Sequence, residues 1–148
     1  MKRLLIAGLL LFALIMAVSL FTGTPTKVST SDQMLFKDQV LKTLGPTPPS
    51  WNVVQFEEIG ERSFRLVLVY LHAPSNLQQV QDDTRRIARA VLKVLVEKGR
   101  SPQQEMIAVF VHAQIPQKGE TGASMVRYFG KTMYDYNDDQ LVFKPAKS

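Results

Sequence analysis

The sequence predicts an α+β fold: a single N-terminal transmembrane helix, then a small domain with a mixed sheet built on a parallel βαβ core. Three observations carry that expectation. An unbroken apolar run, Leu4–Phe21, follows Lys2 and Arg3. Two segments near mid-chain, Ser63–Leu71 and Met106–Ala113, are apolar on both parities, as strands covered on both faces are. Between them lies an amphipathic stretch, Asn76–Lys98, long enough to carry the chain back across a sheet.

The N-terminal run, with Leu4, Leu11, Phe12, Ile15 and Phe21 among its apolar side chains, would span roughly 27 Å as a helix at about 1.5 Å per residue. That nearly matches a hydrocarbon core of about 30 Å. Lys2 and Arg3 put the N-terminus in the cytoplasm by the positive-inside bias, so the domain is expected outside it, in the periplasm of a two-membrane bacterium. Ala17-Val18-Ser19 has the spacing of a signal-peptide cleavage site, and processing after Ser19 is the alternative. Continuation of the apolar run through Leu20 and Phe21 favours an uncleaved anchor. The expected organisation is an anchor or uncleaved signal at 1–24, a linker at 25–31, and an exported domain at 32–148.

Roughly 120 residues outside the anchor suffice for one domain with a core of its own. The chain has no cysteine, so that core must form without disulfides. The formal net charge is +5, of which Lys2 and Arg3 supply two. The remaining excess is mild, and no segment clusters Lys and Arg with interleaved aromatics, so nucleic acid is not an expected partner.

In chain order, Asp32–Leu44 reads as a helix with Met34, Phe36, Val40, Leu41 and Leu44 on one broad face. Thr30 and Gln33 have capping-box spacing at its start, and Gly45-Pro46 stops it. Asn52–Ile59 mixes Val53, Val54 and Phe56 with Gln55, Glu57 and Glu58, as a half-solvated edge strand does. Gly60-Glu61-Arg62 then turns the chain into the two-sided strand Ser63–Leu71. In the helix Asn76–Lys98, Leu77, Val80, Ile87, Ala88, Val91, Val94 and Leu95 form the apolar stripe, with Ser75 as N-cap and Gly99 as the C-terminal glycine. After Met106–Ala113 comes a polar loop, Gln114–Thr121, then a short helix over Gly122–Phe129. Thr132–Tyr136 and Leu141–Phe143 close as a hairpin across Asn137–Gln140.

The chain's two histidines, His72 and His112, end the two strands of the βαβ unit in similar settings, Tyr-Leu-His-Ala and Phe-Val-His-Ala. If the strands are in register, the imidazoles stand side by side at the carboxyl end of a parallel pair, where open α/β sheets bind ligands. Such a pair suits zinc or copper, with Asp135 arriving from the closing hairpin as a third group. The commoner reading of each histidine is an amphipathic residue at a strand end.

Gly119-Glu120-Thr121-Gly122 lacks the Gly-Lys-Ser/Thr ending of a phosphate loop, which argues against nucleotide binding. Asp135 to Asp139 matches the start of an EF-hand loop, but Gln140 replaces its glycine and Ala146 its glutamate, so an Asx-rich turn explains it better. No cysteine or Gly-x-Ser-x-Gly nucleophile is present, and adjacent Glu57 and Glu58 fall on opposite faces of a strand.

Two function classes follow. The first is a membrane-anchored accessory subunit that docks on a larger membrane or envelope complex without catalysis. The second is an extracytoplasmic ligand- or metal-binding domain, conceivably an enzyme, that uses His72 and His112.

Overall fold

A computed structural model describes residues 28–119 and 122–147. The expected anchor over Leu4–Phe21 and residues 25–27 of the expected linker lie outside the described residues, and the first helix begins within that linker, at Thr30. Among the described residues, no helix is long and apolar enough to cross a membrane.

The elements run α1 (Thr30–Leu44), β1 (Trp51–Ile59), β2 (Ser63–Tyr70), α2 (Leu77–Glu97), β3 (Ala108–Lys118), β4 (Ser124–Asp135) and β5 (Gln140–Pro145). The five strands form one sheet in sequence order. β2 and β3 are parallel, and every other neighbouring pair is antiparallel. The α+β class and the parallel βαβ core expected from the sequence are therefore present, and β1 is an edge strand.

Both helices lie on the same face. Phe36, Val40 and Leu44 of α1 share one buried cluster with Val80, Ile87, Val91, Val94 and Leu95 of α2 and with Phe64, Leu66, Leu68, Val109, Val111 and Ala113 of the sheet. Phe36 and Phe64 rings meet at 5.0 Å. The helices run antiparallel, because the α1 N-terminus lies near Leu95 and Arg100 while its C-terminus meets Arg86 and Ala90. Met34 and Leu41, assigned by periodicity to the inner face of α1, are exposed at 62% and 36%.

Each helix start is capped one residue away from the expected position. Ser29 Oγ accepts the Asp32 N–H at 3.1 Å, and Asn76 Oδ1 accepts the Gln79 N–H at 2.8 Å. Gln79 Oε1 accepts the N–H of Ser75, the residue before that cap, in return. At the other end of α1, the Arg86 guanidinium donates to the carbonyls of Leu44 (3.0 Å) and Pro46 (2.8 Å), groups the helix leaves without partners. Arg86 also lies over the ring of Trp51, 5.7 Å from its centroid, which closes the core edge beneath it.

The core admits few polar groups. Thr84 and Thr132 are fully buried and meet at 2.7 Å. Thr84 gives its proton to the Val80 carbonyl at 2.7 Å, so Thr132 is the donor between the two hydroxyls. Tyr70 is also buried, and its phenol donates to Asp83 at 2.8 Å; burial first, then the Asp83 carboxylate, pushes that phenol's pKa far above its ordinary range.

The expected short helix Gly122–Phe129 is absent: Ser124–Asp135 is one strand. Its first half pairs with a β3 that continues past Ala113 to Lys118, so most of the expected loop 114–121 is strand too. Pairing to β3 overrides the weak helical pattern, and Gly130, with φ +147, sits at the bulge of this strand. The closing hairpin is where it was expected, with β5 extended to Pro145.

Candidate functional site

The strand register decides the histidine question. Arg65 pairs with Phe110 and Val67 with His112 across the parallel seam, so Tyr70 does not face Phe110 and His72 does not face His112. His72 lies five positions beyond Val67 in an exposed bend past the end of β2, on the order of 15 Å along the strand direction at about 3.3 Å per residue. Asp135 stands four positions from Lys131, the β4 partner of His112, roughly 13 Å along that strand by the same rise. Its carboxylate caps the following turn by accepting from the Asn137 N–H at 3.0 Å. Among the described residues, no three His, Cys, Asp or Glu side chains converge as a metal-ligand set. The zinc or copper proposal for His72 and His112 loses the adjacency on which it depended.

His112 instead belongs to a different surface. Alternation along each strand sends Phe64, Leu66 and Leu68 to the helices and sends Arg65, Val67 and Val69 to the opposite face. Extending the register across the sheet gives three rows of side chains on that face. Glu58, Arg65, Phe110, Met133 and Val142 form the first, and Gln55, Val67, His112, Lys131 and Lys144 the second. Val53, Val69, Gln114 and Tyr128 form the third. Neither helix reaches this face. Val67 and Val69 are nonetheless buried, while Val53, Tyr128 and Val142 are exposed at 41%, 39% and 36%.

The face combines apolar surface with separated charges. Lys131 lies over the Phe110 ring, 5.6 Å from its centroid, and the rings of His112 and Tyr128 are 5.8 Å apart. A bulge in β1 brings both Glu57 and Glu58 opposite this part of β2, so the expectation that they occupy opposite faces fails. Glu58 lies 4.0 Å from Arg65 across a solvated gap. Burial holds the His112 imidazole below its ordinary pKa of 6.5; Lys131 and Arg65 add to that, and Glu57 opposes it. At neutral pH the ring is uncharged, and it contributes flat, weakly polar surface to the face.

Beyond the third row, β3 and β4 continue alone as a two-stranded ribbon. β2 stops at its Val69–Gln114 pairing and β5 at Gly130–Pro145, so Ile115–Lys118 and Ser124–Tyr128 each leave an outer edge unpaired by the sheet. Met125 and Val126 are exposed on this ribbon at 57% and 55%.

Concave features compete poorly with this face. The groove between the helices is about 510 Å³ but lined by Gln39, Lys42, Lys93, Glu97 and Lys98, whereas small-molecule sites are predominantly apolar. A more apolar cleft under Val28, Phe36, Ile59 and Leu95 is only about 170 Å³, below the usual range for a drug-sized ligand. Comparison with protein-family models, with curated proteins and with solved structures finds no match. The site is therefore defined by physical features alone: one sheet face that no described helix covers, with apolar rows and a charge gradient across it.

Proposed function

We propose that the protein is a membrane-anchored accessory subunit whose open sheet face docks on a protein of a larger membrane or envelope complex. The uncovered face is the observation that carries this reading. A sheet stabilised by helices on one side normally solvates its other side with polar residues. Here that side offers Val53, Phe110, Met133, Tyr128 and Val142 around the buried Val67 and Val69, and contiguous apolar patches usually mark partner surfaces. The N-terminal run Leu4–Phe21 supports an anchor, with the N-terminus cytoplasmic and the domain extracytoplasmic. Anchoring raises the local concentration of the domain near a membrane partner, so a modest interface suffices. No catalytic step is assigned.

The test is co-purification of the tagged full-length protein from native membranes in mild detergent. A Phe110→Glu/Met133→Glu variant should express and stay folded, since both side chains are only half-buried, yet lose the proteins that accompany the wild type. Replacing residues 1–24 by a cleavable export signal should weaken function without unfolding the domain. A variant face that retains every partner, or a released domain that is fully active and binds nothing, rejects the proposal.

A further inference from the structure

The open face carries its own complement, and we infer that a second copy of this chain is what covers it. The inference rests on the reading of that face as a protein interface and names its occupant.

Charge is segregated across the sheet. The strands lie in the order β1 to β5, so β3 is the midline. On one side, β1 presents Glu57 and Glu58; on the other, β4 and β5 present the register partners Lys131 and Lys144. Between them lie Val67, Phe110 and Met133 nearest the midline, with Arg65, a cation on the acidic side, beside Glu58.

Two identical sheets packed face to face stand about 10 Å apart with their strands roughly aligned. Their two-fold axis must lie in the plane between them, and two orientations are simple. An axis across the strands stacks β1 on β1 and β5 on β5, setting acid against acid and base against base. An axis along β3 instead stacks β1 of each copy over β5 of the other and keeps the rows in register. Glu57 and Glu58 then come over the strand that carries Lys144, and the same contact is made twice, as an isologous interface requires. Arg65, already beside Glu58, comes over Met133 of the second copy, and Val67 over the aliphatic stem of Lys131. Phe110 and His112 fall on the axis and each meets its own counterpart. The charge pattern thus selects one of the two arrangements: each acidic edge comes over a basic one, while Arg65 and Lys131 of the second copy lie on facing strands one row apart. The product is a four-layer stack, helices–sheet–sheet–helices, in which the missing cover on each sheet is the other sheet.

Charge exchange on the full-length protein in mild detergent tests this, with mass read by light scattering. Wild type should be a dimer. Glu57→Lys/Glu58→Lys makes the whole face basic, and Lys131→Glu/Lys144→Glu makes most of it acidic; each should weaken self-association roughly tenfold or more, because like charges now oppose across the interface. Mixing the two variants should restore a dimer containing one of each, and the quadruple exchange in one chain should restore the homodimer. All four side chains reach solvent, so unchanged circular dichroism should show that the fold is intact. The absence of native cysteine allows a second readout: a His112→Cys chain should cross-link to itself through a short bis-maleimide, and a Lys93→Cys chain on the helical side should not. A monomeric wild type, or reversal variants that dimerise as wild type does, overturns the inference. If a monomeric wild type still captures another protein, and the reversed face loses it, the second copy is rejected while the docking reading stands. If reversal alters neither mass nor capture, both fail.

Discussion

Thr84 on α2 and Thr132 on β4 join hydroxyls at 2.7 Å with neither side chain exposed, and this bond, with that of Tyr70 to Asp83, ties the long helix to the sheet. Its polarity is fixed, because Thr84 spends its proton on Val80 and Thr132 must donate. Thr84→Val should therefore cost more than Thr132→Val: the first strands a buried donor, at about 1–3 kcal/mol, and the second removes a hydrogen bond worth about 1 kcal/mol. The Thr84→Val/Thr132→Val double variant should be no less stable than Thr84→Val alone. Urea melts of the four proteins check the order, and additive losses would refute the pairing.

Arg86 closes the C-terminal end of α1 by serving two carbonyls at once while lying on Trp51. Arg86→Lys keeps the charge but not the planar fork, so it should recover less than half of what Arg86→Ala loses, about 1 kcal/mol. Hydrogen exchange should show the loss concentrated in the last turn of α1. Equal stability of Arg86→Lys and wild type would assign the contact to charge alone.

Gly130 has φ +147, and a Cβ there would stand 2.7 Å from the Lys144 carbonyl oxygen and 3.0 Å from Pro145 Cα. Both obstacles are backbone on the neighbouring strand, so they cannot swing away as a side chain does. Gly130→Ala should destabilise the domain by about 2 kcal/mol or more and loosen the C-terminal end of β5 first. A thermal midpoint within a degree of wild type would contradict this geometry.

His112 is held below its ordinary pKa in the folded chain, so the unfolded chain binds its proton more readily. The stability linked to this group is fully present above pH 6.5 and is lost as pH falls through 6.5 toward the folded value. Melting temperatures recorded from pH 8 to pH 5 should decline more for wild type than for His112→Gln, whose side chain does not titrate. Parallel curves would show that the ring is free to charge in the folded state.

Most of the architecture was legible because the signals were redundant. The stripe from Val80 to Leu95 specified α2, and two apolar strands joined through it implied a parallel pair. Register was not legible, for a physical reason. Strands such as β2, buried on both parities from Leu66 to Tyr70, lose little apolar burial when they slide, so their pattern does not say which residues meet. The pairing of His72 with His112 rested on that missing information. β4 was misread over Met125–Phe129 because apolar and polar side chains do not alternate there; the strand is fixed by its partner β3 instead. The open sheet face was half visible, since two-sided strands beside a single clear helix implied a shortage of cover. That α1 would join α2 on the same side, and leave the other face open, depended on tertiary packing.

The parallel seam has a kinetic consequence. On either side of it the sheet is made of local pieces, the hairpin β1–β2 and the meander β3–β4–β5, whose partners are adjacent in the chain and close quickly. Joining Phe64 to Val109 and Val67 to His112 requires the whole of α2 to be traversed first, so the loop entropy is lost before any seam contact forms. The seam is accordingly the slow step of folding, and until it closes both pieces expose raw strand edges at their most apolar segments. A nascent chain close to identical neighbours meets its greatest hazard of mispairing in that interval. The amphipathic α2, able to form early from its own caps and stripe, shortens it by drawing β2 and β3 onto one common surface.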